Sequence, residues 1–75
     1  MTLEDILGSI LEISPMELAD HSGQQTLQNW SSFAHINIIL ALENAYDVSF
    51  TTKEIQTVKS VGEIRQLLRN KGAVV

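Results

Sequence analysis

Ser32 and His35 are the two side chains in this sequence whose types and spacing could act together, a hydroxyl with an imidazole one helical turn further on. A serine hydrolase needs more than that pair. Neighbouring turns of one helix supply no nucleophile elbow, no oxyanion hole and no third acid to orient the imidazole. His35 falls on the core-facing side of its helix, where it reads as a hydrogen-bonded structural residue rather than a base. Ser32 opens the same helix. Free N–H groups and the helix dipole favour an anion there, although serines also gather at helix starts simply as caps. Metal chemistry is not indicated, because the chain has no cysteine and neither His21 nor His35 has a closely spaced partner ligand.

The elements that hold these residues announce themselves by their start signals. A Ser or Thr is followed three residues later by an acid at Thr2/Asp5, Ser14/Glu17, Thr51/Glu54 and Ser60/Glu63. The last three fit the capping box, and Thr2/Asp5 is a looser version. Leu3, Ile6, Leu7, Ile10 and Leu11 recur at helical spacing and predict an amphipathic helix over about 3–12. Ser14 with Pro15 starts at most a short turn through Leu18, and the polar run from His21 to Gln25 reads as loop. Ser31 is the expected N-cap of the main helix, 32–46, which has no Gly or Pro inside. A short helix over 52–57 and a final one over 61–70 follow, the latter with Val61, Ile64, Leu67 and Leu68 inward and Gly72 just past its end. Val48-Ser49-Phe50 alternates, but at a helix junction it reads as an extended connector.

With 75 residues the sequence reads as a single domain, 1–75, near the size at which a hydrophobic core alone can hold a fold. Residues 1–52 carry seven acidic residues and no Lys or Arg, while residues 53–75 hold all five basic ones. The front of the chain should attract basic partners. Nucleic acid is not an expected ligand, since Lys53, Lys59, Arg65, Arg69 and Lys71 are sparse and mixed with acids. No signal peptide is apparent, and the most apolar stretch, 33–46, is short and broken by His35, Asn37, Glu43 and Asn44. A cytoplasmic protein with no membrane segment is the expectation.

At about 100° per residue the main helix presents His35, Ile38, Ile39, Leu42, Ala45 and Tyr46 on one side, the expected core face. Its opposite side carries Phe33, Ile36 and Leu40, bordered by Asn37, Glu43 and Asn44. An apolar stripe therefore remains after the core has been served. Either the loop from His21 to Trp30 or the short third helix covers it, or it is a docking surface for partner proteins. Trp30 is expected to anchor that loop against the helices.

The run from Trp30 to Tyr46, with Ser32 at the head of the helix and Ala41-Leu42-Glu43 and Tyr46 downstream, resembles the acyl carrier protein family. That family's signature is Asp-Ser-Leu opening a helix, then an Ala-Leu-Glu segment and an aromatic. The order of leading helix, long loop, main helix, short third helix and final Ser60-Val61-Gly62-Glu63-Ile64 helix is similar over nearly the whole chain. The resemblance implies an all-α, four-helix acyl-carrier-like bundle with a long first loop and a short third helix. It implies that Ser32 is the attachment site of 4'-phosphopantetheine, donated covalently from coenzyme A by a phosphopantetheinyl transferase. It further implies that Phe33, Ile36, Asn37, Leu40, Glu43 and Asn44 dock acyl-loading and acyl-accepting enzymes, and that the protein is a monomeric carrier rather than an enzyme. The Trp-x-Ser-x-Ala-His wording looks more like carriers of specialised polyketide, nonribosomal or glyceryl-transfer systems than of housekeeping fatty-acid synthesis.

Two positions depart from the pattern. Ser31 stands where the family has Asp, keeping a cap but losing a carboxylate beside Ser32, and Phe33 stands where it has Leu. The main helix is also poorer in acids, with Asn37, Asn44 and Ala45 where fatty-acid carriers often have Glu. A degenerate carrier that is never modified and serves as a protein-interaction module is the alternative these departures suggest.

Overall fold

The computed structural model describes residues 2–75. Four helices, α1 (Leu3–Leu11), α2 (Ser32–Tyr46), α3 (Thr52–Thr57) and α4 (Val61–Asn70), and a single 3-10 turn (Pro15–Glu17) make up its regular structure, with no strand among the described residues. Each start is set by its cap. Thr2 Oγ1 accepts from Asp5 N–H at 3.1 Å while the Asp5 carboxylate accepts from Thr2 N–H at 3.1 Å, so the looser sequence pair forms the full reciprocal box. Ser14/Glu17 and Thr51/Glu54 form theirs as well.

The Ser60/Glu63 pair corrects the sequence reading. Ser60 Oγ accepts from Glu63 N–H at 3.3 Å, but the Glu63 carboxylate accepts from the Ser60 hydroxyl at 3.2 Å instead of from its backbone N–H. The reason lies in the backbone. Ser60 has φ −145°, against −82° to −65° at the three complete boxes, because it is drawn into an antiparallel bridge with Gly23. The loop satisfies two further N–H groups of this turn: Ser22 O accepts from Val61 N–H and Asp20 O from Gly62 N–H, both at 2.9 Å. The first turn of α4 is thus capped by carbonyls from a distant segment.

A second small correction concerns α1, which ends at Leu11. Glu12 turns into the left-handed region, φ 59°, and Glu12 and Ile13 both donate back to Gly8 O. Gly8 is required at this fold-back, since a Cβ there would lie 2.7 Å from Ile13 O.

Leu3, Leu7 and Leu11 of α1 pack with Ile38, Ile39 and Leu42 of α2 and Val61, Ile64 and Leu68 of α4, all essentially without solvent exposure. Trp30, Phe50 and Val58 close the core from the connecting segments. Leu67 is only half-buried, and on α2 Ala34 takes a core place while Ala45 is exposed and Tyr46 half-buried, so the core face sits closer to the helix N-terminus than periodicity suggested. Every apolar side chain so buried removes surface from water at about 25 cal/mol per Å². α3 buries no residue fully and is held by polar ties: Lys71 Nζ meets Glu54 Oε1 at 2.9 Å and lies 5.5 Å from the Phe50 ring centre. Arg65 binds α4 to the front of the molecule through an ion pair with Glu4 and a longer approach, 3.6 Å, to Asp20.

Candidate functional site at the head of α2

The chain enters α2 through Trp30, which is buried, and leaves Ser31 and Ser32 exposed immediately after it. Asn29 Nδ2 donates to Leu11 O at 3.0 Å, so the residues before Trp30 are tied to the end of α1. Trp30 Nε1 donates to His35 Nδ1 at 3.0 Å, and the two rings stack with centres 6.1 Å apart. An indole N–H can only donate, so Nδ1 must be the unprotonated nitrogen of His35. Nε2 therefore carries the proton and donates to Ile55 O at 2.7 Å. One buried imidazole thus joins the loop, α2 and α3, as a structural histidine should. Both ring nitrogens are engaged, and neither is left to act as a base on Ser32.

Ser31 Oγ accepts from Ala34 N–H at 3.1 Å, and Ser31 O accepts from His35 N–H at 2.9 Å, which defines it as the N-cap. Ser32, at the first helical position, keeps its hydroxyl outside this cap and exposed to solvent. There is no acidic side chain in the first turn of α2, so the positive end of the helix dipole is uncompensated at Ser32.

From Ser32 the apolar stripe runs along the outer side of α2. Phe33 is 78% exposed, Ile36 48% and Leu40 54%, so neither the loop nor α3 covers it. Asn44 is exposed and Asn37 half-buried beside the stripe. Glu43 is more committed than a free surface acid, because its Oε2 accepts from Phe50 N–H at 2.9 Å and so fixes the α2–α3 connector. The stripe and the core face lie on opposite sides of one helix, which explains why a polar-to-apolar division is hard to see along its sequence.

A cleft of about 250 Å³ opens beside Ser32, between the start of α2, α3 and the first loop, lined by Gln24, Ser32, His35, Ile36, Ile55 and Gln56. Sequence reasoning did not find Gln24 and Gln56, which lie 8 residues before and 24 after Ser32 and carry no local pattern. Among the described residues no group of three or more His, Cys, Asp or Glu is arranged to hold a metal ion, and no helix is long and apolar enough to cross a membrane. No family model matches the chain, and no curated protein matches it.

Proposed function

We propose that the chain is an acyl carrier that receives 4'-phosphopantetheine on Ser32 and presents acyl groups to partner biosynthetic enzymes. The observation that carries the reading is the division of labour at the head of α2: Ser31 caps the helix, Trp30 and His35 fix the entry, and Ser32 is exposed with its hydroxyl outside the cap. The residues fit the group. An exposed hydroxyl at an uncompensated helix N-terminus suits a phosphodiester anion, which the free N–H groups and dipole favour.

Loading is a phosphoryl transfer to Ser32. Its Oγ forms the new P–O bond, the pyrophosphate P–O bond of coenzyme A breaks, adenosine 3',5'-bisphosphate leaves, and the hydroxyl proton passes to the transferase. When bound, the group supplies a thiol for thioester formation at the end of a flexible arm. The chain's own part is to hold that arm at a fixed corner and to offer Phe33, Ile36 and Leu40 as a contact strip, with Asn37, Glu43 and Asn44 at its edges. A partner face that is apolar at its centre and basic at its rim suits this surface, since the first 52 residues carry no cation. Work with coenzyme A and soluble synthases in the cytoplasm, in a specialised pathway rather than housekeeping fatty-acid synthesis, is the context we propose.

One observation favours a second reading. Without a carboxylate at Ser31, the same exposed stripe would serve an unmodified interaction module equally well. Intact mass after incubation with coenzyme A and a broad-specificity transferase separates the two: a gain of one phosphopantetheinyl group supports the carrier, and an unchanged mass supports the module.

A further inference from the structure

We infer that the apolar groove between α1 and α2, lined by Ile6, Ile10, Ala41 and Ala45 with Ser9 and Asn44 beside them, seats a basic amphipathic helix of a partner protein, which tethers the chain and leaves the Ser32 end of α2 free. The groove is a second surface, separate from the cleft at Ser32 and sharing with the stripe of Phe33, Ile36 and Leu40 only the bordering Asn44. It goes beyond the carrier reading and does not depend on modification of Ser32.

The groove is a gap in helix packing. Helical angle assigns Ala45 to the core face of α2, yet Ala45 is exposed, and Ile10 and Ala41 are only half-buried. The short side chains of Ser9, Ala41 and Ala45 leave about 390 Å³ open between the two helices. A cavity of roughly 150 Å³ admits a benzene ring, so this space holds two side chains of Leu or Phe size. A helix presents such a pair at i and i+3 or i+4, about 5–6 Å apart.

Charge selects the occupant. α1 and α2 contain no Lys or Arg. On α1 the exposed carboxylates of Asp5 and Glu12 lie one turn before and after Ser9, at the edge of the groove. Arg65 is paired with Glu4 and Lys71 with Glu54, so neither neutralises that edge. A second copy is a poor occupant: it brings a net charge of −4, and its exposed Phe33, Ile36 and Leu40 sit on the same cation-free helix. An anionic lipid surface meets the same repulsion. A helix with apolar anchors and Lys or Arg around them answers both the floor and the edge. Ala41 and Ala45 follow Ser32 by about 14–20 Å along α2, so a tether seated there stands clear of the exposed hydroxyl.

The test titrates the isotope-labelled full chain with a synthetic peptide of about 16 residues, one Leu pair at i and i+4 in an Ala and Lys background. The expected result is shifts at Ile6, Ile10, Ala41 and Ala45 with Ser32 and Phe33 unmoved, and an affinity that falls as salt is added. The same peptide with Glu for Lys, or with Ser for the Leu pair, should not bind. Ala45→Lys places a good helix former at an exposed position, so the fold should hold while peptide binding weakens by about tenfold or more. No shift at the groove, shifts centred on Phe33 and Ile36, or full affinity in Ala45→Lys overturns the tether and leaves the mass gain at Ser32 to decide the carrier reading by itself. Groove shifts that grow with chain concentration alone overturn it in favour of a second copy, and groove shifts with phosphatidylglycerol vesicles but not with the Lys peptide overturn it in favour of a membrane.

Discussion

Trp30 Nε1 donates to His35 Nδ1 at 3.0 Å, and this bond sets the tautomer that lets His35 donate onward to Ile55 O at 2.7 Å. The chain of three groups is what orients the head of α2 relative to α3. His35→Ala leaves the indole N–H buried without an acceptor, a loss of about 1–3 kcal/mol before the packing loss is added. Urea unfolding followed by Trp30 fluorescence should show a lowered midpoint and a shifted native emission. An unchanged midpoint would mean that the bond contributes nothing.

The outer stripe and the core face of α2 should respond differently to truncation. Leu42 has no exposure, and Leu42→Ala is expected to cost about 2–5 kcal/mol. Leu40 is 54% exposed, so Leu40→Ala should stay within roughly 0.5 kcal/mol of the parent in stability while slowing cargo transfer to or from a partner enzyme. Equal destabilisation by the two changes would make the stripe part of the core.

The helix frame was legible in the sequence because it is written locally. Thr2, Ser14, Ser31, Thr51 and Ser60 each mark a start within three or four residues of the groups they satisfy, and α2 to α4 begin and end where their patterns indicate. What could not be read is non-local. Nothing in the pattern around His21 to Gln25 shows that Gly23 meets Ser60, that Ser22 and Asp20 carbonyls cap α4, or that Gln24 lines a cleft with Gln56. Ala45 was misjudged because helical angle alone does not tell how far along α2 the neighbouring helices extend. Glu43 reads from the sequence as a docking acid at the edge of the stripe, and its tie to the Phe50 N–H is not visible there because that partner belongs to the backbone of the next connector.

Gly23 tests the hidden part of that frame. A Cβ at this position would lie 1.9 Å from Lys59 O, a backbone atom that cannot swing aside. Gly23→Ala should therefore force the loop off the α3–α4 junction and cost on the order of 1–3 kcal/mol, as overpacking does. Hydrogen exchange at Gln24, Val61 and Gly62 should accelerate together, since their three N–H groups donate across this contact. Retained protection at all three would show that the loop is held elsewhere.

Acid stability follows from three carboxylates. Burial pushes the Glu4 carboxyl up, but its hydrogen bond from Arg65, backbone bonding and the Arg65 charge outweigh that and hold it below the usual range. Asp5 is lowered by the Thr2 N–H and hydroxyl, and Glu54 by the Thr51 N–H and then by Lys71. With folded values depressed, the unfolded chain takes up protons first as pH falls. The stabilisation is fully present above the ordinary carboxylate value of about 4 and is lost as pH drops through the folded values. Urea midpoints should decline below about pH 4, and Glu4→Gln should make that decline shallower. A midpoint that rises on acidification through this window would contradict the assignment.

The central claim is that Ser32, and not the serine beside it, carries the arm. Its most direct measurement is the intact mass of the native chain, Ser31→Ala and Ser32→Ala after incubation with coenzyme A and a broad-specificity phosphopantetheinyl transferase. Ser31 Oγ is occupied by the Ala34 N–H and Ser32 Oγ is not engaged by the cap, so the native chain and Ser31→Ala should each gain one phosphopantetheinyl group and Ser32→Ala none. An adduct that survives Ser32→Ala, or its absence from the native chain, would contradict the account.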